Sequence, residues 1–147
     1  MRKIKILMVC LGNICRSPLA QGILQSKIKD SAYVDSAGTA SYHIGNSPDP
    51  RSILVAKEKG IDISNYKARK FIKEDFKKFD FIYVMDNSNF KNVISMADSK
   101  DDRDKVSLIH PLKKEIPDPY YGEIKDFKVC YSFLEKACNK IILDLNT

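Results

Sequence analysis

The stretch Ile4-Lys5-Ile6-Leu7-Met8-Val9-Cys10-Leu11-Gly12-Asn13-Ile14-Cys15-Arg16-Ser17-Pro18 decides how this chain is read. Ile4 to Val9 is short, apolar and rich in branched side chains, the pattern of a strand buried on both faces in a parallel sheet. Gly12 and Asn13 interrupt it with the residue types that best tolerate a left-handed backbone. Ser17-Pro18 predicts a helix start, with serine as the cap and proline at the first helical position. Leu19, Ile23, Leu24 and Ile28 then give that helix its apolar face.

Outward from this unit the alternation continues. Tyr33 to Ser36 reads as a second strand, and Gly38 to Pro50 as a loop. Asp49-Pro50 opens a helix that Gly60 stops. A short helix over Lys73 to Lys78 precedes a third strand, Phe81 to Met85, and a helix from Asn87 to about Met96. Val106 to Ile109 is a fourth strand, and Pro111 to Gly122 is a proline-bearing loop. Phe127, Tyr131, Leu134, Cys138, Ile141 and Leu145 repeat at helical spacing and mark the last helix. The expected fold is α/β: one domain, residues 1–147, with a four-stranded parallel sheet and helices on both faces, a three-layer sandwich of the flavodoxin or Rossmann kind. Such sheets bind ligands beyond the carboxyl ends of their strands, which is where the turn from Cys10 to Arg16 falls.

With 147 residues the chain can bury roughly two-thirds of its unfolded surface, enough for a core without staples. Its longest apolar run, Ile6 to Leu11, is far shorter than the ~18 residues needed to span a bilayer. Lys and Arg total 25 against 19 Asp and Glu, a net charge of +6 that suits anionic ligands. The acids and bases are interleaved, however, as in Lys100-Asp101-Asp102-Arg103-Asp104-Lys105. No basic arm, zinc finger or aromatic RNA platform occurs, so nucleic acid is not an expected partner. Cys10, Cys15, Cys130 and Cys138 fit no common zinc spacing, and neither His43 nor His110 lies near a cysteine in sequence, so no metal site is expected. Met1 to Val9, with Arg2, Lys3 and Lys5 ahead of apolar residues, has the outline of a short signal peptide. Gly12, Asn13 and Arg16 break it at once and no small-residue cleavage site follows, so a cytoplasmic protein with reduced thiols is expected.

The turn itself carries chemistry. A short loop feeding a helix N-terminus offers free N–H groups and the positive end of a dipole to an anion. Left-handed residues at Gly12 and Asn13 let successive N–H groups converge. Arg16 adds a planar fork that matches two phosphate oxygens. A positive environment of this kind favours thiolate over thiol, which makes Cys10 a nucleophile aimed at phosphorus, with Ser17 placed to donate a hydrogen bond to it. The Gly-x4-Gly-Lys-Ser/Thr pattern of nucleotide-binding phosphate loops is absent. A second carboxyl group, acting as acid and then base, would complete ester hydrolysis. Asp118, between Pro117 and Pro119, is the candidate.

Val9 to Ala20 resembles the signature loop of the low-molecular-weight protein tyrosine phosphatases. The resemblance continues through Asp35 to Thr39, Ser47-Pro-Asp-Pro-Arg51, Lys67-Ala-Arg69, Phe79-Asp80, Met85-Asp86 and Asp118-Pro-Tyr-Tyr-Gly122, in order along the whole chain. It implies a phosphotyrosine phosphatase in which Cys10, Arg16 and Asp118 are catalytic. Leu11, Gly12, Asn13, Ile14, Cys15 and Ser17 would form the phosphate-binding loop. Ile14, Tyr42, Tyr120 and Tyr121 would form the substrate pocket, an apolar Ile14 suiting an aryl ring. Asn13, Ser36 and Asp86 would support the loop; Asp86 is equally readable as a helix cap before Asn87. The resemblance also implies that Cys15 traps oxidised Cys10 as a disulfide. It calls for no cofactor. The implied partners are phosphotyrosine-containing proteins and small aryl phosphates, with inorganic phosphate as product and a capacity for weak self-association.

The chain departs from its relatives at two supporting positions: Tyr66 stands where a histidine is frequent, and Gln21 where the signature usually has Glu. Gln21 is expected to affect only the helix surface, and His43 and His110 are expected to be structural or solvated. Two other activities stay open at this point. One is arsenate reduction on the same fold, although Cys130 and Cys138 would stand about 12 Å apart along an unbroken helix. The other is phosphotyrosine binding without turnover.

Overall fold

The computed structural model describes residues 3–146. Met1, Arg2 and Thr147, which belong to the expected 1–147 span, lie outside the described residues. The elements in chain order are β1 (Ile4–Cys10), α1 (Arg16–Ile28), β2 (Ala32–Gly38), α2 (Pro50–Glu58), α3 (Asp75–Lys78), β3 (Phe81–Val84), α4 (Asn87–Ile94), α5 (Lys100–Asp104), β4 (Val106–Leu108) and α6 (Ile124–Leu145). A 3-10 turn, Lys29–Ser31, joins α1 to β2. The four strands form one sheet in the order β2-β1-β3-β4, and every pairing is parallel.

β1 is central, and its two faces feed two separate cores. Ile6, Met8 and Cys10 point into a cluster with α1, α2 and α6, where Leu19, Ile23, Val55, Phe127, Leu134 and Cys138 are buried. Leu7 and Val9 point the other way, against Phe71, Phe76, Phe79 and Val93. A continuous apolar strand thus serves two layers of helices, as the unbroken run in the sequence requires. The expected three-layer α/β architecture is the one observed.

The strand order positions the site. From β1 the chain crosses by α1 to β2 on one side, and later elements place β3 on the other side. β1 and β3 therefore flank the point where strand order reverses, the crevice that open α/β sheets use for ligands. The register pairs Cys10 with Gly38 and Val9 with Val84, so the ends of three strands meet there. Gly38 is needed at this point, because a Cβ on it would lie 2.8 Å from the Leu11 carbonyl oxygen.

Two expectations about helix ends change. α1 begins at Arg16, its N-cap is Cys15, and Pro18 is its third residue rather than its first. Ser17 does not cap the helix; its hydroxyl is used inside the site. Proline is tolerated there because first-turn N–H groups have no partner within the helix. α5 carries no apolar period in the sequence, only an interleaved charge run, and is an additional element. Ser99 caps it by accepting from Asp102 N. Asp49 caps α2 ahead of Pro50 as expected, accepting from Arg51 N. α6 buries Phe127, Tyr131, Leu134, Cys138 and Ile141, adds Cys130 and Ala137, and is continuous through both cysteines. No described helix is long and apolar enough to cross a membrane.

Candidate active site

The turn after β1 is wired from behind. Asn13 has the expected left-handed conformation, with φ of 59°, and only 3% of its surface is exposed; Gly12, expected to share it, does not have a positive φ, so Asn13 alone makes the left-handed step of the turn. Its amide donates to Ser17 Oγ at 2.8 Å and to Ser36 Oγ at 2.9 Å, and its Oδ1 accepts from Arg69 N at 3.0 Å. Both amide protons are then spent on hydroxyl oxygens. The Ser17 hydroxyl, having accepted, has its proton free for Cys10 Sγ, 2.9 Å away. The Ser36 hydroxyl donates to Gln21 Oε1 at 2.6 Å. This corrects the expectation for Gln21, which is buried between α1 and β2 and donates in turn to the Val34 carbonyl. Tyr66 packs near Gly22 on α1, its ring 3.9 Å from where a Cβ would sit. The support of the loop thus runs through Gln21 and the Arg69 main chain.

Arg16 is 2% exposed. Its Nη1 donates to Asp86 Oδ2 at 2.8 Å and to the Ile116 carbonyl at 2.9 Å, and its Nη2 lies 3.6 Å from Asp118 Oδ2. Burial opposes its charge, but Cys10, Asp86 and Asp118 outweigh burial and hold the guanidinium above its ordinary pKa. Asp86 fills both roles read from the sequence, since its Oδ1 also accepts from Asn89 N at the start of α4. Asp118 is exposed and accepts from Tyr120 N at 3.1 Å, which turns its side chain back along its own loop.

These groups line one cleft of about 490 Å³, counting its open mouth. Cys10, Cys15 and Arg16 form its floor with the loop backbone, and Leu11 and Ile14 add apolar surface. Tyr42, Tyr120, Tyr121 and Asp118 complete it. Tyr120 meets Tyr121 edge to face at 4.9 Å. Every residue proposed from sequence for the pocket and the catalytic set is therefore brought together, while Asn13, Ser17, Ser36 and Asp86 stand behind. His43 was missed. It is half-buried in the cleft wall, 6.2 Å from the Tyr120 ring, and its Cδ2 would lie 2.9 Å from a Cβ on Gly12. A side chain at position 12 would have to displace the His43 ring from the cleft wall. Of the remaining thiols, burial and then Asp49 push Cys15 up, and burial pushes Cys130 up to about 12. A buried positive fork, a thiol that receives a hydroxyl hydrogen bond and an adjacent carboxyl group in an aromatic-walled cleft can hold a phosphorylated ring and exchange its phosphoryl group.

Residues 5–147 match the family described as low molecular weight phosphotyrosine protein phosphatase. A protein of that name from Schizosaccharomyces pombe is 40% identical over 141 residues, covering 88% of this chain and 89% of that one. A protein tyrosine phosphatase from Entamoeba histolytica, solved with Hepes in its active site, superposes with a TM-score of 0.92 at 36% identity, covering 98% of this chain and 97% of that one. Vibrio vulnificus Wzb in complex with benzylphosphonate superposes with a TM-score of 0.87 at 32% identity, covering 95% and 97%. The chain belongs to the low molecular weight phosphotyrosine protein phosphatase family. It is accordingly a cysteine-dependent hydrolase of the protein phosphatase class.

Proposed function

We propose that the protein hydrolyses phosphotyrosine in proteins, and small aryl phosphates, through a phosphocysteine on Cys10. The observation that carries this reading is the convergence of the Cys10 thiol, the buried Arg16 fork and the Asp118 carboxyl group on one aromatic-walled cleft. The phosphoryl group sits in the loop backbone, with two of its oxygens on Arg16. Cys10 Sγ attacks phosphorus in line, the S–P bond forms, and the P–O bond to the ring breaks. Asp118 gives its proton to the departing phenolate oxygen. As a carboxylate it then takes a proton from water, whose oxygen attacks phosphorus. The S–P bond breaks, inorganic phosphate leaves, and the thiolate returns to the Ser17 hydroxyl. Arg16 and the loop N–H groups stabilise the charge on the equatorial oxygens throughout.

The substrate ring lies between Tyr42 and Tyr120 over Ile14, side chains that line the cleft above the Cys10 thiol; that the Vibrio protein binds benzylphosphonate, a phosphonate carrying an aromatic ring, fits a substrate of this kind. Cys15, buried beside Cys10 in the same cleft floor, is the thiol that would close a protective disulfide on an oxidised Cys10. The test is hydrolysis of p-nitrophenyl phosphate in EDTA with reductant, wild type beside Cys10→Ser. Turnover that vanishes in the variant is expected. Absence of turnover in folded wild type, or its survival in the variant, overturns the reading.

A further inference from the structure

The Ser47-Pro-Asp-Pro-Arg51 segment takes no part in the chemistry above, yet it touches both loops that do. Asp49 N donates to the Ile14 carbonyl of the phosphate-binding loop at 2.8 Å. The Asp49 carboxylate, almost fully buried, caps α2 and accepts from Arg51 Nε at 3.0 Å and from Nη2 at 2.9 Å. Arg51 reaches onward across about seventy positions of sequence. Its Nη1 donates to the Gly122 carbonyl and its Nη2 to the Tyr120 carbonyl, both at 2.9 Å. Its guanidinium carbon lies 4.3 Å from the centre of the Phe127 ring on α6. Three of its nitrogens thus join one carboxylate, two carbonyls and an aromatic face, a set that a planar fork can satisfy and an ammonium cannot.

The two carbonyls belong to the segment that directly follows Asp118. Tyr120 supplies the N–H that orients the Asp118 carboxylate, and Gly122 N closes the turn on the Pro119 carbonyl. We infer that Arg51, held by Asp49, is the positioning residue that fixes the Asp118 loop in register with the phosphate-binding loop. The two halves of the site, far apart in sequence, are tied through the first turn of α2. This inference rests on Asp118 acting as the proton donor. It adds that the donor is placed by Arg51 rather than by its prolines alone.

A loosened donor matters most where the leaving group needs a proton most. The experiment measures kcat/KM for a series of aryl phosphates of rising leaving-group basicity, from p-nitrophenyl to phenyl phosphate, in wild type, Arg51→Ala, Arg51→Lys and Asp118→Ala. Rates of Cys10 alkylation by iodoacetate and thermal melting are read alongside. Arg51→Ala should lose about tenfold or more on phenyl phosphate and less than about threefold on p-nitrophenyl phosphate, while alkylation falls less than about threefold. Arg51→Lys, which keeps the charge and guards against a variant that fails to fold, should show the same slope change at smaller size. Asp118→Ala should steepen the series most. If Asp118→Ala steepens it and neither Arg51 variant does, the positioning role is wrong while the donor assignment stands. If Asp118→Ala leaves the slope unchanged, the donor assignment fails and the positioning role fails with it. An equal loss on every substrate by both Arg51 variants also overturns the proposal, because it marks a general structural role.

Discussion

The two loops of the cleft are held in opposite ways. The backbone of the phosphate-binding loop, residues 10–17, is secured from beneath chiefly by buried, uncharged groups, with the Arg16–Asp86 pair at its end: Asn13 donates to both Ser17 and Ser36, Ser17 passes its proton toward Cys10, and Ser36 donates the other way to Gln21. The Asp118 loop runs on the surface, stiffened by Pro117 and Pro119, and its grip from the neighbouring α2 is the charged Asp49–Arg51 pair. The contrast suits their tasks. A cradle for a dianion gains from preorganised dipoles that need no rearrangement. A proton donor that must meet a leaving group and later a water works at the mouth, on an exposed loop held at its base by Arg51.

The contrast breaks first at Asn13. Asn13→Ala removes donors to two hydroxyls, strands the Arg69 N–H and puts alanine into a left-handed conformation. Each buried group left unpaired costs about 1–3 kcal/mol, and kcat/KM should fall on the order of 10²-fold through misplacement of the nucleophile. Asn13→Gly tests the separation of backbone from network: it should recover about 1 kcal/mol of stability, because glycine accepts the positive φ, with little recovery of rate. Gln21→Leu, one step further back, should lose about 1–3 kcal/mol by orphaning the Ser36 hydroxyl, with a fall in rate within about tenfold. Denaturant melts and steady-state kinetics on the three variants check the grading. A harmless Gln21→Leu would mean the network ends at Ser36.

A smaller effect sharpens the other half. Burial alone would raise the Asp49 carboxyl, but hydrogen bonds from the Arg51 side chain and main chain prevail and hold it below the usual carboxylate range. A depressed folded-state pKa contributes stability that is fully present above the unfolded value, about 3.9, and is lost as pH falls through the folded value. Wild type should therefore lose stability below about pH 4 more steeply than Asp49→Asn, measured as melting temperature against pH. Parallel curves would show that the pair is not the acid-sensitive grip described here.

The same division governs what the sequence makes legible. β1, the turn and α1 can be read because their signals are local: a branched apolar run, then an asparagine suited to positive φ, then a helical period; Gly12, which carries the same signal, is glycine beside the His43 ring and not for its φ. The apolar stripe of α6 is read for the same reason. Gln21 cannot be read this way. It lies off the stripe of Leu19, Ile23 and Leu24, but the first half of α1 is buried all round, so a polar residue there faces β2 rather than water. His43 sits in a loop without periodicity, and its contact with Gly12 depends on how that loop folds back over the turn. Asp118 has no local signature beyond its prolines, and its place came from resemblance. Arg51 shows only that it follows a capping Asp-Pro; its partners lie in another loop that the chain reaches much later.

The most direct test of the central claim is to trap the intermediate. A phosphotyrosine reaction run for milliseconds is quenched into alkaline denaturant, digested and weighed by mass spectrometry. The account predicts one phosphoryl group on the peptide carrying Cys10 in wild type and none in Cys10→Ser. A label on another residue, or rapid phosphate release with Cys10 unmodified at every time, would contradict it.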